Sequence, residues 1–263
     1  MNRMPLLLER PDSPHVDALH PSPNIEPRRT GFRPDLLLLH YTGMHSVEKA
    51  IDWLARPESK VSCHYVVAED GTITQMVAEG VRAWHAGQSC WAGVEDINSC
   101  SIGIEIHNPG HAQGYPDFPA AQVGAVTRLS ADIVKRHRIA RGRVLAHSDV
   151  APMRKIDPGE KFDWKGLAEA GVGRWIMPAP IEEDGWSLGP GARSERIADA
   201  QHLLRSYGYG IEVTGLLDTV TVFVLRAFQL HWRPARIDSR LDHSTLETLR
   251  RLQATAQGDT AAS

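Results

Sequence analysis

Four consecutive leucines, Leu36-Leu37-Leu38-Leu39, run directly into His40 and constrain the fold more than any other segment of the chain. An apolar run of strand length without alternation belongs to a strand covered on both faces, so it predicts a buried central strand. His40, its first polar residue, then falls where the strand reaches the edge of the sheet. Ser46 precedes Val47-Glu48-Lys49-Ala50-Ile51-Asp52-Trp53-Leu54, an N-cap followed by helical spacing. His64-Tyr65-Val66-Val67-Ala68 and Thr72-Ile73-Thr74-Gln75-Met76 flank Asp70-Gly71, the pattern of a β-hairpin. Ser101-Ile102-Gly103-Ile104-Glu105-Ile106 alternates apolar with small or acidic residues, as in a strand that carries one polar side chain toward a cleft. Val123, Val126, Leu129, Ile133 and Val134 repeat at helical spacing between Ala120 and His137, and Arg143-Val144-Leu145-Ala146-His147 returns to a strand. These elements predict an α/β fold, a mixed central β-sheet flanked by helices.

Punctuation sets the domain limits. Pro5, Pro11, Pro14, Pro21, Pro23 and Pro27 make residues 1–30 an extended arm. The α/β domain spans 31–175. Met177-Pro178-Ala179-Pro180 and Gly189-Pro190-Gly191 mark 176–193 as a linker. Helical spacing resumes with Ile197, Ala200, Leu203 and Leu204, then Val220, Val224, Phe228 and Leu230, then Leu246, Leu249 and Leu252, so 194–254 reads as a small three-helix domain. Residues 255–263 are small and polar, and are expected to fray.

A net charge of −3 gives no electrostatic reason to expect a nucleic-acid partner. The run Pro5-Leu6-Leu7-Leu8 is too short for a signal-peptide core, and no segment is long enough to span a membrane, so a cytoplasmic chain is expected, with export to the periplasm by another route as the alternative. Cys63, Cys90 and Cys100 are an odd number without a CxxC pair; they read as buried small hydrophobes rather than disulfides or thiolate ligands.

Thirteen histidines are many for 263 residues. His15, His20, His137, His202, His231 and His243 lie in the arm, on a helix or in the C-terminal segment, and read as ordinary imidazoles. His45, His107 and His111 have no motif to recommend them. His40, His147 and Asp157 differ, because each ends a strand or begins the loop after one, where separate segments converge on a cleft. Two imidazoles and a carboxylate form a known ligand set for catalytic zinc, which keeps a fourth position for water.

The surroundings of these residues resemble a known family. Ala146-His147-Ser148-Asp149-Val150-Ala151-Pro152-Met153-Arg154-Lys155-Ile156-Asp157-Pro158-Gly159 is similar to the closing signature of the type-2 N-acetylmuramoyl-L-alanine amidases, which include the eukaryotic peptidoglycan-recognition proteins. His40-Tyr41-Thr42, Ser62-Cys63-His64-Tyr65, Ala83-Trp84-His85-Ala86-Gly87 and Asn98-Ser99-Cys100-Ser101-Ile102-Gly103-Ile104-Glu105 match the same family in the same order. The likeness covers roughly residues 33 to 165 and looks closest to the AmiD and AmpD branch. It implies that His40, His147 and Asp157 bind zinc, that Glu105 is the general base, and that Lys155 stabilises the transition state. Those assignments make chemical sense: amide hydrolysis needs a group that moves a proton to the departing amine and a cation beside the oxyanion. Tyr41, His64, Trp84, His85 and Asn108 are the candidate substrate contacts, with His64 shaping the cleft floor.

Through Ala200-Gln201-x-Leu203-Leu204, Tyr207-Gly208-Tyr209, Gly215-x-Leu217-Asp218 and Ala227-Phe228-Gln229, the C-terminal segment resembles the small helical peptidoglycan-binding domain. It departs from that pattern at Val222-Phe223-Val224 and between Arg233 and Arg236, so a cap packed on the larger domain is the competing expectation. The implied reaction is hydrolysis of the amide between the lactyl group of N-acetylmuramic acid, or its anhydro form, and L-alanine. A non-catalytic peptidoglycan-recognition protein and a zinc hydrolase of another amide are the alternatives. Intact wall and soluble muropeptide fragments both remain open as partners at this stage.

Overall fold

A computed structural model describes residues 8–261, with the side chains of 257–261 undescribed; the apolar Pro5, Leu6 and Leu7 lie outside the described residues. In chain order the elements are β1 (Ala18–Leu19), β2 (Ile25–Pro27), β3 (Leu36–Tyr41), α1 (Val47–Leu54), β4 (Tyr65–Val67), β5 (Ile73–Gln75), β6 (Val81–Ala83), α2 (Ile97–Cys100) and β7 (Ser101–Ile106). They continue with α3 (Ala120–His137), β8 (Val144–Ala146), α4 (His147–Val150), α5 (Trp164–Glu169), β9 (Ser187–Leu188), α6 (Glu195–Tyr207), α7 (Thr219–Trp232), β10 (Leu241–Asp242) and α8 (His243–Ala261).

The leucine run is the penultimate strand of a six-stranded sheet ordered β1-β5-β4-β7-β3-β8. β3 lies parallel to β7 and β8, while β4 and β5 form the antiparallel hairpin. Successive side chains of a strand point to opposite faces. Leu37 and Leu39 accordingly join Ala125, Val126, Leu129 and Ile133 of α3 in one core cluster. Leu36 and Leu38 join Ile197 and Leu204 of α6, Val224 and Phe228 of α7, and Leu249 and Leu252 of α8 in another. All four leucines are fully buried. The C-terminal helices are thus the second covering layer that a parallel strand needs, and residues 176–193 are stitched down as well. The Ala179 N–H donates to Thr248 Oγ1 at 3.0 Å, the Ser244 hydroxyl donates to the Ala179 carbonyl at 2.7 Å, and β9 pairs with β10.

Two expectations change. Residues 8–30 are more than an extended arm: β1 adds a parallel edge to β5, and β2 pairs antiparallel with β6. Proline is tolerated at a sheet edge, where one side of the strand needs no donor, and Asn24 anchors the crossing by donating to the carbonyls of Arg56 and Val61, each at 2.8 Å. At the other end, α8 continues to Ala261 instead of fraying after Ala254, because extending a packed helix requires no new nucleation.

Under the sheet, Glu79 is nearly fully buried among Arg136 and His137 of α3 and the Tyr65 hydroxyl. Burial pushes its carboxyl up, but the bonds from Arg136, His137 and Tyr65 outweigh it and bring the pKa down to about 2. A carboxylate depressed in the folded state stabilises the protein fully above its unfolded pKa near 4.5, and that contribution disappears as pH falls toward 2. A shift of this size corresponds to on the order of 3 kcal/mol. In urea titrations the stability gap between the wild type and Glu79→Gln should be widest near neutrality and shrink steadily below pH 4.5. A gap independent of pH would refute the assignment.

Candidate active site

Register brings the chemistry to one end of the sheet. His40 pairs with Glu105 across β3 and β7, so both project from the same face, and Leu39 pairs with Ala146 at the end of β8. The next residue, His147, opens α4 instead of extending the strand. The chain then loops to Asp157, whose carbonyl accepts the Ser148 N–H at 3.0 Å and ties the two segments together.

Three atoms converge here. His40 Nδ1 lies 2.8 Å from His147 Nδ1 and 3.3 Å from Asp157 Oδ2, and His147 Nδ1 lies 3.0 Å from the same oxygen. Among the described residues, this is the only group of three or more ligating side chains gathered closely enough to hold a metal ion. Ligand atoms bound tetrahedrally at about 2.0–2.1 Å stand roughly 3.3 Å apart, close to the spacing found.

The hydrogen-bond network supplies a second test, because it sets which ring nitrogen carries the proton. The Ser101 hydroxyl donates to the Ile97 carbonyl at 2.6 Å, so its oxygen is left to accept from His85 Nε2 at 3.2 Å. His85 Nδ1 then accepts from His40 Nε2 at 3.0 Å, and the lone pair of His40 Nδ1 faces the convergence point. His147 Nε2 donates to the Ala86 carbonyl at 3.2 Å, which turns its Nδ1 lone pair the same way. Two imidazole lone pairs and a carboxylate oxygen aimed at one another repel unless a cation lies between them, so this donor set fits a metal. The ionisation states agree. Burial, reinforced by the neighbouring His147 imidazole, lowers the His40 pKa to about 4 and keeps the ring neutral near pH 7. Burial works to raise Asp157, yet His147 and His40 hold its carboxyl far below the usual range.

Tyr41, Trp84, His85, Glu105, His147, Lys155 and Asp157 line a cavity of about 340 Å³, whose outer wall is the apolar surface of Ala50, Trp53, Leu54 and Val61. Glu105 Oε2 is shut off from solvent without a hydrogen-bond partner among the described residues. Burial and then the Asp157 charge push the Glu105 carboxyl well above its ordinary pKa, with Lys155 pulling partly back.

Of the expected substrate contacts, His64 and Asn108 lie outside the cavity lining, and His85 lines it with its ring committed to His40. His64 is fully buried: its Nδ1 accepts the Gly103 N–H at 3.0 Å and its Nε2 meets the Val81 carbonyl at 3.1 Å, so both ring nitrogens are occupied by the backbone. Burial and the Arg28 charge lower its pKa to about 3. Asn108 donates to the Pro116 carbonyl and accepts the Gly110 N–H, and so holds its own loop outside the cavity. His85 reaches the cavity wall, but its ring backs His40. It lies directly over Gly103, where an added Cβ would stand 2.5 Å from His85 Nδ1. Ser101, Gly103 and Glu105 share one face of β7, and the two small residues clear the space that the imidazole fills.

Fold and site together set a His-His-Asp cluster able to hold a metal ion at the floor of a cavity, with the Glu105 carboxylate on the same strand face. The sequence family described as N-acetylmuramoyl-L-alanine amidase matches residues 30–160. AmiD of Escherichia coli is 33% identical over 226 residues, covering 81% of this chain and 80% of AmiD. AmpD of Escherichia coli is 35% identical over 161 residues, covering 55% of this chain and 86% of AmpD. Among solved structures, AmiD bound to anhydro-N-acetylmuramic acid-L-Ala-D-γ-Glu-L-Lys superposes with a TM-score of 0.73 at 32% identity, covering 86% of this chain and 91% of that one. AmpDh3 of Pseudomonas aeruginosa bound to anhydromuramic pentapeptide gives 0.74 at 34% identity, covering 87% and 94%. The chain belongs to the type-2 N-acetylmuramoyl-L-alanine amidase family and is an enzyme of that activity.

Proposed function

We propose that the chain is a zinc amidase in which His40, His147 and Asp157 hold the metal, Glu105 is the general base and Lys155 stabilises the oxyanion. The observation that carries this reading is the convergence of three ligand atoms with both imidazole lone pairs turned inward. Zinc held by these three residues would supply a Lewis acid and make hydroxide available near neutral pH. Glu105 takes a proton from the attacking water and delivers it to the departing alanine nitrogen, because an amide anion is a very poor leaving group. Lys155 places its ammonium where negative charge builds on the lactyl carbonyl oxygen. Tyr41, Trp84 and the wall formed by Trp53 and Val61 receive the sugar and stem peptide.

The substrate class is muropeptide, and soluble anhydromuramoyl peptides come first, since those are what the AmiD and AmpDh3 complexes hold. The catalytic part is assigned to residues 31–175, joined through 176–193 to the helices of 194–254. Among the described residues, no helix is long and apolar enough to cross a membrane.

Mass spectrometry of anhydromuropeptide digests tests bond and metal together. The zinc-loaded protein should release intact stem peptide beginning at L-alanine, chelation should abolish the release, and added zinc should restore it. Undiminished release after exhaustive chelation would refute metal dependence, and tight binding without product would favour a recognition protein.

A further inference from the structure

Asp149 lies two residues beyond His147 on α4, and its carboxylate is spent on holding that short helix. Oδ2 accepts the Ala146 N–H at 2.8 Å and faces His231 Nδ1 at 2.7 Å, while Oδ1 accepts the Tyr209 hydroxyl at 2.5 Å. Tyr209 and His231 come from the C-terminal helical unit, 60 and 82 residues away in sequence. All three residues are at most 2% exposed. His231 is wedged between Trp164, stacked at 3.8 Å, and Trp232, stacked at 4.1 Å, so its ring plane is fixed. It is a buried, structurally satisfied imidazole, one of the two forms that an ordinary histidine takes.

The position of this contact matters as much as its strength. The C-terminal helices already cover Leu36, Leu38 and Leu145 with apolar surface, which accounts for their docking. The buried polar contact lands on α4 instead, two residues from the first residue of that helix, His147, and beside the Ser148 N–H that bonds to the Asp157 carbonyl. A carboxylate buried here and left short of a partner costs more than the contact gains, so the helix settles where all its bonds are made.

We propose that Tyr209 and His231 are positioning residues for the metal centre. The C-terminal helices grip Asp149 and, through it, set α4 so that His147 and Asp157 present their ligand atoms at the observed spacing. This assigns the C-terminal unit a role inside the catalytic centre, separate from any affinity for wall polymer. It rests on the reading of His40, His147 and Asp157 as zinc ligands.

The test measures zinc affinity of the full chain by competition with a chromophoric chelator, alongside kcat, KM and thermal melting. Tyr209→Phe keeps the ring and its packing while removing one hydroxyl, so it stays informative even where His231→Ala folds poorly. Tyr209→Phe is expected to weaken zinc binding about tenfold, the low end of what outer-sphere partners contribute. Its kcat at subsaturating zinc should fall with KM little changed, and His231→Asn, which keeps a donor near the Nδ1 position, should bind zinc more tightly than His231→Ala. Variants that melt earlier yet bind zinc within twofold of wild type would overturn the proposal, leaving the contact as domain docking alone. Wild-type protein that binds no zinc would overturn the metal assignment itself, and the proposal with it.

Discussion

Glu105→Ala is expected to keep its zinc and lose turnover by roughly 10²–10⁴-fold, the usual contribution of a positioned general base. Its side chain lines the cavity and pairs in register with His40, yet it stands outside the group of three converging ligand atoms. Removing it deletes the proton carrier without opening the metal site. Zinc content by atomic absorption and stem-peptide release by chromatography separate the two effects. Glu105→Gln should be nearly as impaired, because an amide matches the shape of the carboxylate but cannot accept the proton. Turnover within a few fold of wild type in either variant would remove Glu105 from the mechanism.

His147→Ala should fail in the opposite order, losing zinc first and activity as a consequence. It deletes the ligand atom common to the two shortest approaches, at 2.8 and 3.0 Å, and removes the ring that joins the Ala86 carbonyl to the Asp157 carboxylate. Two remaining ligands hold zinc far more weakly than three, so stoichiometric metal should disappear at micromolar protein and turnover should fall to background. Far-ultraviolet dichroism should stay close to wild type, since the sheet and α3 do not depend on this ring. A variant that retains one zinc per chain would show that the ion is held elsewhere.

Much of this was legible in the sequence, for identifiable reasons. Four adjacent leucines admit only one burial state, and the polar residue that ends them must emerge at the sheet edge; both follow from strand periodicity alone. Asp70-Gly71 fixed the hairpin because the left-handed backbone at Gly71 suits glycine and little else. The spacing of Glu105 within an alternating strand placed it on the cleft face beside His40.

The misreadings have a common cause, because each concerns where a side chain finds its partner across the fold. His64 stands in a motif beside the cleft and Asn108 just after the Glu105 strand, but their hydrogen-bond partners at Gly103 and Pro116 hold them outside the cavity, and His85 lines it with its ring bonded to Ser101. For His85 a signal was present: Ser101 and Gly103 precede Glu105 on one strand face, and two small residues there leave room for a ring. His231 gave no such signal, since its hydrogen bond with Asp149 spans two segments whose docking depends on apolar faces lacking any pairing code. Local rules likewise missed β1 and β2, because a proline-rich edge strand is recognised by the strand it joins and not by its own pattern.

The most direct test of the central claim is a crystal grown with zinc and measured on both sides of the zinc absorption edge. The expected result is one strong anomalous peak within about 2.0–2.2 Å of His40 Nδ1, His147 Nδ1 and Asp157 Oδ2, with one side of the ion open to the cavity that Glu105 and Lys155 line. A peak bound by other residues, or no ordered ion at that point in zinc-saturated protein, would contradict it.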